Sequence, residues 1–124
     1  MANKKILLVE DDPFLVDIYS KKLQQFGFEV VCADSGGKAL ELFTGNVFDL
    51  VLLDIVMPDI DGWKILSEIK KPPIHNETKV VIFSNLGQKA EVERGLQMGA
   101  DKYLIKANYT PSEVVEEVKK IINN

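Results

Sequence analysis

Residues 47–62 read VFDLVLLDIVMPDIDG, a mainly apolar run that leads directly into the acid Asp54. A strand this apolar is typical of a parallel sheet that is covered on both faces. In open α/β sheets, ligands bind at the edge where the strands have their carboxyl ends. The sequence therefore predicts that Asp54 lies at the ligand-binding edge of a buried sheet.

A second apolar strand, residues 6–9, also runs directly into acidic residues, the first of which are Glu10 and Asp11. Hard divalent cations such as Mg²⁺ bind one or two carboxylates, keep several waters and accept phosphate oxygens. Converging carboxylates repel one another unless a cation lies between them. We therefore expect Glu10, Asp11 and Asp54 to form a Mg²⁺ site around a reactive aspartate.

Length and composition restrict the class of protein. The 124 residues fit a single domain, residues 1–124, that is long enough to bury a core. The net charge of −4 argues against nucleic acid as a partner, and no apolar segment is long enough to cross a membrane. The single cysteine, Cys32, excludes an internal disulfide, which predicts a reducing, cytoplasmic location.

Apolar strand-like runs alternate with amphipathic, helix-length segments five times, which is the pattern of a parallel sheet covered by helices. The predicted strands are residues 4–9, 28–33, 47–53, 79–84 and 101–105. The predicted helices begin at Pro13, at residues 36, 62 and 87, and at Pro111. Residues 71–75 are predicted to form the loop that leads into the fourth strand.

Two further polar residues follow predicted strands at the same sheet edge as the acids. Ser84 ends the fourth strand, and Lys106 follows the fifth. A hydroxyl and an ammonium beside an acceptor aspartate and a cation are groups that bind the oxygens of a transferred phosphoryl group. Aspartate carboxylates are known to form such aspartyl phosphates.

The chain resembles the receiver domain of bacterial two-component response regulators, and in particular its single-domain, chemotaxis-regulator-like members. The resemblance covers essentially all 124 residues. It is most specific at Asp54-x-x-Met57-Pro58-x-x-Asp61-Gly62, which matches the phosphorylation-loop signature of the family. The sequence Val-Glu-Asp-Asp at residues 9–12 resembles the acidic pocket of the same family.

The resemblance implies a role for each matching residue. Asp54 would be the phosphoacceptor, and Ser84 and Lys106 would contact the phosphoryl oxygens. Ser84 also falls at the switch Ser/Thr position of the family, and Tyr103 falls at its aromatic switch position.

The resemblance also implies Mg²⁺ as the cofactor. Asp11 and Asp54 would ligate the ion directly together with the backbone carbonyl of Val56, and Glu10 would act through a water. The chemistry would be limited to Mg²⁺-dependent self-phosphorylation and autodephosphorylation, so that the chain would not be an enzyme acting on other substrates.

The implied fold is α/β and flavodoxin-like, with a doubly wound five-stranded parallel sheet in the order 2-1-3-4-5 and five helices. The implied function is a signalling switch that receives a phosphoryl group from a histidine kinase or phosphotransfer protein in a two-component phosphorelay. A downstream protein partner would bind the face formed by the fourth helix, the fifth strand and the fifth helix. A stand-alone regulator and a receiver excised from a longer protein would have the same sequence.

Two positions depart from the family pattern. Ala107 follows Lys106 where the family usually has proline after a cis peptide, and a cis bond before a non-proline residue costs about 2.5–4 kcal/mol. Both a trans and a cis peptide therefore stay open, and with them the placement of Lys106. Asn85 follows Ser84 where the family tends to have a small residue, so that it narrows the approach to Asp54 or offers a substitute contact.

Three other functions compete with this interpretation. A hydrolase of the haloacid dehalogenase type would need a second aspartate two residues after Asp54, where this chain has Val56. A flavodoxin-like cofactor binder would need a phosphate loop after the first strand, where this chain has acids. A receiver-like adaptor that no longer cycles is disfavoured by the presence of Asp54, Ser84 and Lys106, although Ala107 keeps this alternative open.

Overall fold

The computed structural model describes residues 3–71 and 77–123, which form five strands, five α-helices and one 3-10 turn. The strands β1–β5 are Lys5–Val9, Glu29–Ala33, Leu50–Leu53, Lys79–Ser84 and Lys102–Ile105. The helices α1–α5 are Pro13–Gln25, Gly36–Gly45, Gly62–Ile69, Lys89–Gln97 and Pro111–Ile122. Beyond Lys71, the loop predicted for residues 71–75 lies outside the described residues.

All neighbouring strands run parallel, in the order β2-β1-β3-β4-β5, which confirms the predicted topology. Val9 of β1 pairs with Leu53 of β3, and Leu53 pairs with Ile82 of β4. The residues that follow these strands therefore meet at one edge of the sheet, which we call the carboxyl edge.

Helices cover both faces of the sheet. Alternate residues of β1 and β3 point to opposite faces, so that Ile6 and Leu8 pack with Tyr19 and Leu23 of α1. The same layer contains three valines of α5, namely Val114, Val115 and Val118. The other face packs against α2 and α3, whose buried side chains include Ala39, Phe43, Ile65, Leu66 and Ile69.

Strand β3 begins at Leu50 and not at Val47, so the predicted start was wrong by three residues. Val47 is 71% exposed and contributes nothing to the core. The Asp49 carboxylate accepts the hydrogen bond of the Lys5 amide at 2.8 Å, where a ladder would use a backbone carbonyl. The Asp49 amide in turn donates to the Lys5 carbonyl at 2.8 Å, and the regular strand begins one residue later, at Leu50.

Side chains cap the starts of helices α1 and α5. The Asp12 side chain accepts a hydrogen bond from the Phe14 amide at 2.9 Å and caps α1. Thr110 and Glu113 form the reciprocal capping box of α5. None of the helices within residues 3–71 and 77–123 has the length and apolar character that crossing a membrane requires.

Candidate functional site

The acids that follow β1 and β3 lie side by side at the carboxyl edge. The Asp54 amide donates to the carbonyl of Val9 at 3.0 Å, which extends the ladder by one residue and fixes Asp54 beside Glu10. Glu10 is 3% exposed and Asp54 is 6% exposed, whereas Asp11 lies in solvent. Burial of two carboxylates at one point is unfavourable unless cations compensate their charge.

Glu10, Asp11 and Asp54 each offer a carboxylate oxygen, and these oxygens lie within 4.8 Å of one another. This all-oxygen donor set suits a hard divalent cation such as Mg²⁺. The exposed Asp11 leaves the cluster open to solvent on one side, and a Mg²⁺ ion keeps several waters. The residues present therefore fit the predicted metal.

Lys106 supplies the positive charge of the site. Its ammonium donates to Glu10 Oε1 at 2.6 Å and to Asp54 Oδ2 at 2.7 Å, and its side chain is only 11% exposed. The side chain therefore reaches Asp54 although Ala107 stands where the family usually has proline. The 3-10 turn Lys106–Asn108 begins directly after β5 and places the lysine at the carboxyl edge.

Burial and hydrogen bonding act against each other in the electrostatics of this contact. Burial raises the pKa of Glu10 above its usual value, and the hydrogen bond from Lys106 offsets only part of that rise. Burial lowers the pKa of Lys106, but the hydrogen bonds to Asp54 and Glu10 outweigh it and hold the pKa above its usual value. The lysine thus stays charged beside the acids.

Ser84 and Tyr103 lie on the neighbouring strands β4 and β5. Ser84 is fully buried at the end of β4, and its hydroxyl oxygen accepts a hydrogen bond from the Leu86 amide at 3.3 Å. The Tyr103 hydroxyl donates to the carbonyl of the same Leu86. Burial is the largest cause of the raised pKa of Tyr103. The two predicted switch residues are therefore linked through one residue of the loop between β4 and α4.

A pocket of about 330 Å³ opens above Asp54. Its lining residues are Glu10, Asp11, Asp12, Leu15, Asp54, Val56, Asn85 and Lys106. Asn85 is exposed at its rim, and Val56 has 55% of its surface exposed. A phosphoryl donor can therefore approach Asp54 from solvent, between an amide side chain and an aliphatic one.

The loop between β3 and α3, residues 54–61, is shaped by its own hydrogen bonds. The Val56 amide donates to Asp54 Oδ1 at 3.0 Å, and the Gly62 amide donates to the carbonyl of Ile55 at 3.0 Å. A Cβ at Gly62 would lie 2.3 Å from Ile55 Cα, so only glycine permits this close approach. The signature residues Asp54 and Gly62 therefore hold the base of the loop together.

Sequence reasoning missed one residue of this loop, whose side chain binds a different segment of the chain. Asp59 accepts hydrogen bonds from the amides of Gly36 and Gly37 at the start of α2. The consecutive glycines at the start of a predicted helix could have indicated such a contact, because they leave room at the first turn for a side chain from another segment. The sequence offered no indication that this side chain would be Asp59.

A larger cavity, of about 600 Å³, lies at the opposite end of the strands, which we call the amino edge. Two of its lysines lie beside acids: Lys4 lies 3.9 Å from Asp49, and Lys70 lies 3.5 Å from Asp101. Within residues 3–71 and 77–123, no three acids converge at this cavity, and its size alone gives no reason to assign it a reactive group.

The sequence matches a known protein family over most of its length. The model of the response regulator receiver domain matches residues 6–119, which is most of the chain. The chain belongs to the response regulator receiver domain family.

Among curated relatives of this receiver, the chemotaxis protein CheY of Bacillus subtilis is 34% identical over 120 residues, covering 96% of this chain and 98% of that protein. A probable transcriptional regulator, ycf27 of Guillardia theta, is 33% identical over 121 residues, covering 98% of this chain and 46% of that regulator. This receiver thus spans about half the length of the first curated relatives that it matches, and almost all of CheY.

Solved structures agree with the family. A CheY-like receiver from Methanospirillum hungatei superposes with a TM-score of 0.91 at 28% identity, covering 98% of this chain and 95% of that one. The BeF3-activated DrrB receiver domain superposes with a TM-score of 0.88 at 31% identity, covering 99% of this chain and all of that one. The flavodoxin-like, CheY-like fold is therefore confirmed.

Proposed function

We propose that residues 1–124 act as one receiver domain in which Asp54 accepts a phosphoryl group from a histidine kinase or phosphotransfer protein. The observation that carries this proposal is the position of the Asp54 carboxylate, which lies between two other acids and the Lys106 ammonium at an open pocket. The free thiol of Cys32 fits the reducing, cytoplasmic location that the sequence predicts.

The proposed cation site consists of Asp11, Asp54 and the backbone carbonyl of Val56, with Glu10 acting through a water. Bound Mg²⁺ supplies positive charge to neutralise the phosphoryl oxygens as they approach three carboxylates. The proposal draws support from the carboxylate oxygens of Glu10, Asp11 and Asp54, which converge within 4.8 Å.

The transfer step breaks the P–N bond of a phosphohistidine and forms a P–O bond to Asp54, and the histidine nitrogen keeps the electron pair. The Val56 amide binds Asp54 Oδ1 and the Lys106 ammonium binds Oδ2, which orients the carboxylate before attack. Lys106 then exchanges part of its contact with Asp54 for a phosphoryl oxygen, and the Ser84 hydroxyl binds a second one.

Phosphorylation changes the hydrogen bonds of the loop after β4. Ser84 and Tyr103 both bind Leu86, so a Ser84 hydroxyl that turns to a phosphoryl oxygen gives up its bond from the Leu86 amide. The Tyr103 ring also lies against Gly95 of α4, since a Cβ there would be 2.9 Å from the ring. A change at Ser84 thereby reaches the face of α4, β5 and α5, where we propose that a downstream protein binds.

The test is labelling with acetyl phosphate and Mg²⁺, followed by intact mass. The wild type gains the mass of one phosphoryl group, which is lost again by autodephosphorylation. Asp54→Asn gains none, and Asp49→Asn, which changes an acid at the amino edge, is labelled like the wild type. Labelling of Asp54→Asn, or no labelling of the wild type at any Mg²⁺ concentration, contradicts the proposal.

A further inference from the structure

Asp59 forms a bridge between two segments that are distant in sequence. Its Oδ1 accepts a hydrogen bond from the Gly36 amide at 2.7 Å, and its Oδ2 accepts one from the Gly37 amide at 2.9 Å. Ser35 binds the next amide, that of Lys38, at 3.2 Å. The first turn of α2 is thus capped jointly by its own serine and by a carboxylate from the loop between β3 and α3.

The bridge has an electrostatic basis. The N-terminal turn of a helix presents unpaired amides and a partial positive charge, both of which favour a carboxylate. The amides of Gly37 and Gly36 lower the pKa of Asp59 below its usual value, so its carboxylate is charged at neutral pH. Charge-assisted bonds of this kind are stronger than neutral ones.

The bridge is also a close steric contact. A Cβ built on Gly36 would lie 2.7 Å from Ile60 Cβ and 3.2 Å from the Ile60 carbonyl. Ile60 in turn packs against the apolar core on the α2 and α3 face of the sheet. The loop is therefore held against α2 by two hydrogen bonds and by a contact that only glycine at residue 36 permits.

These contacts complete the fixation of the loop that carries Val56. The hydrogen bond from the Gly62 amide to the Ile55 carbonyl holds the base of the loop. The bridge from Asp59 to the Gly36 amide attaches the loop to α2. Val56 lies between these two points, and 55% of its surface is exposed, so its own side chain anchors it little. The direction of the Val56 carbonyl therefore depends on the anchors on either side.

We propose that Asp59 is a positioning residue for the metal site, because its bridge to Gly36 and Gly37 fixes the loop that carries Val56, whose carbonyl is a proposed ligand of the cation. This inference rests on the proposed function, in which Val56 is a Mg²⁺ ligand. The three carboxylates that converge at the proposed metal site do not include that of Asp59. Its loss leaves Asp54, Asp11 and Lys106 in place and loosens one ligand.

Two variants break the bridge from opposite sides. Asp59→Asn removes the charge and one of the two acceptors, and Gly36→Ala pushes Ile60 away without changing any charge. Each raises the Mg²⁺ dissociation constant, measured by calorimetry, by about fivefold, which corresponds to roughly 1 kcal/mol. Each also raises the Mg²⁺ concentration that half-saturates phosphorylation by acetyl phosphate, while excess Mg²⁺ restores the maximal rate to within about twofold of wild type.

Two matched controls separate positioning from charge and from helix stability. Gly45→Ala adds a methyl group in the same helix, where a Cβ meets nothing within 4 Å. Asp17→Asn removes one exposed carboxylate from α1 and so changes the net charge by the same amount as Asp59→Asn. Both controls bind Mg²⁺ within about twofold of wild type, because exposed charges are screened by salt.

The amides of Gly36 and Gly37 provide a readout that a loss of stability alone does not give. Coupling between sites is reciprocal, so Mg²⁺ added to the wild type shifts both amide resonances in an NMR spectrum. The shift is absent in Asp59→Asn.

The inference is overturned if the wild type binds Mg²⁺ and is phosphorylated but both bridge variants behave like the two controls. It is also overturned if excess Mg²⁺ restores neither variant. A wild type that neither binds Mg²⁺ nor is phosphorylated instead refutes the proposed function itself.

Discussion

The two edges of the sheet arrange their charged residues differently. At the amino edge Lys4 pairs with Asp49, and Lys70 pairs with Asp101. At the carboxyl edge the carboxylates of Glu10, Asp11 and Asp54 converge, and the Lys106 ammonium pairs with those of Glu10 and Asp54. Among the described residues, these two lysines of the amino edge each lie beside one acid, whereas the three acids of the carboxyl edge outnumber Lys106 and leave negative charge that a cation can neutralise. The site is recognised by its charge imbalance, and not by the size of its cavity.

The largest expected effect is on the free energy of unfolding. It is tested by replacing one lysine at each edge. Lys106→Met leaves the buried carboxylates of Glu10 and Asp54 unpaired and lowers the free energy of unfolding in metal-free buffer by about 3 kcal/mol. Lys4→Met breaks a pair whose side chains are 54% and 40% exposed and costs less than about 1 kcal/mol. Urea unfolding measures both values, and equal losses at the two edges contradict the account.

The lifetime of the phosphoryl group on Asp54 provides a second comparison between the two edges. Hydrolysis requires a water held in line with the phosphorus, and neither Val56 nor Leu86 can hydrogen-bond a water through its side chain. We expect Val56→Asn or Leu86→Glu to speed autodephosphorylation about tenfold, which is a barrier change of roughly 1.4 kcal/mol. Val56 is 55% exposed and Val47, at the amino edge, is 71% exposed.

Val47→Asn therefore serves as the matched control, with the same exchange on an exposed valine far from Asp54. Its rate of phosphoryl loss, followed by intact mass after removal of the donor, stays at the wild-type value. If Val56→Asn and Leu86→Glu also stay there, water positioning by these side chains does not set the lifetime.

The smallest effect concerns pH and the bridge at Asp59. Because the folded protein lowers the pKa of Asp59, its contribution to stability is fully present above the unfolded pKa, about 4. The contribution disappears as pH falls from there through the still lower folded pKa. The difference in urea midpoint between wild type and Asp59→Asn is therefore constant above about pH 5 and shrinks in more acidic buffer. A difference that grows on acidification contradicts the bridge.

The sequence predicted the parts of the site that follow from strand order. Glu10 and Asp54 come directly after strands β1 and β3, which are neighbours, and residues that follow neighbouring parallel strands must meet at one edge. The helix starts at Pro13 and Pro111 were predicted for a different reason, because the residues before them, Asp12 and Thr110, are local signals that act within a few residues.

Contacts between loops were not predictable in this way. Asp59 binds amides that precede it by 22 and 23 residues, and no periodicity or capping rule relates the two segments. The bridge exists because α2 and the loop before α3 lie on the same face of the sheet. The placement of Lys106 was also left open by the sequence, because Ala107 follows it where the family usually has proline. The structure places the Lys106 ammonium against both Glu10 and Asp54.

Binding of beryllofluoride, a phosphoryl mimic, tests the central claim most directly, because it requires the acceptor, the cation and the lysine at once. We expect fluorine NMR to give one set of bound resonances for the wild type and for Asp49→Asn, and only when Mg²⁺ is present. Asp54→Asn gives none, and Asp11→Ala needs a higher Mg²⁺ concentration. Bound resonances that persist in Asp54→Asn, or that form equally well without Mg²⁺, would contradict the assignment of the carboxyl edge as the phosphorylation site.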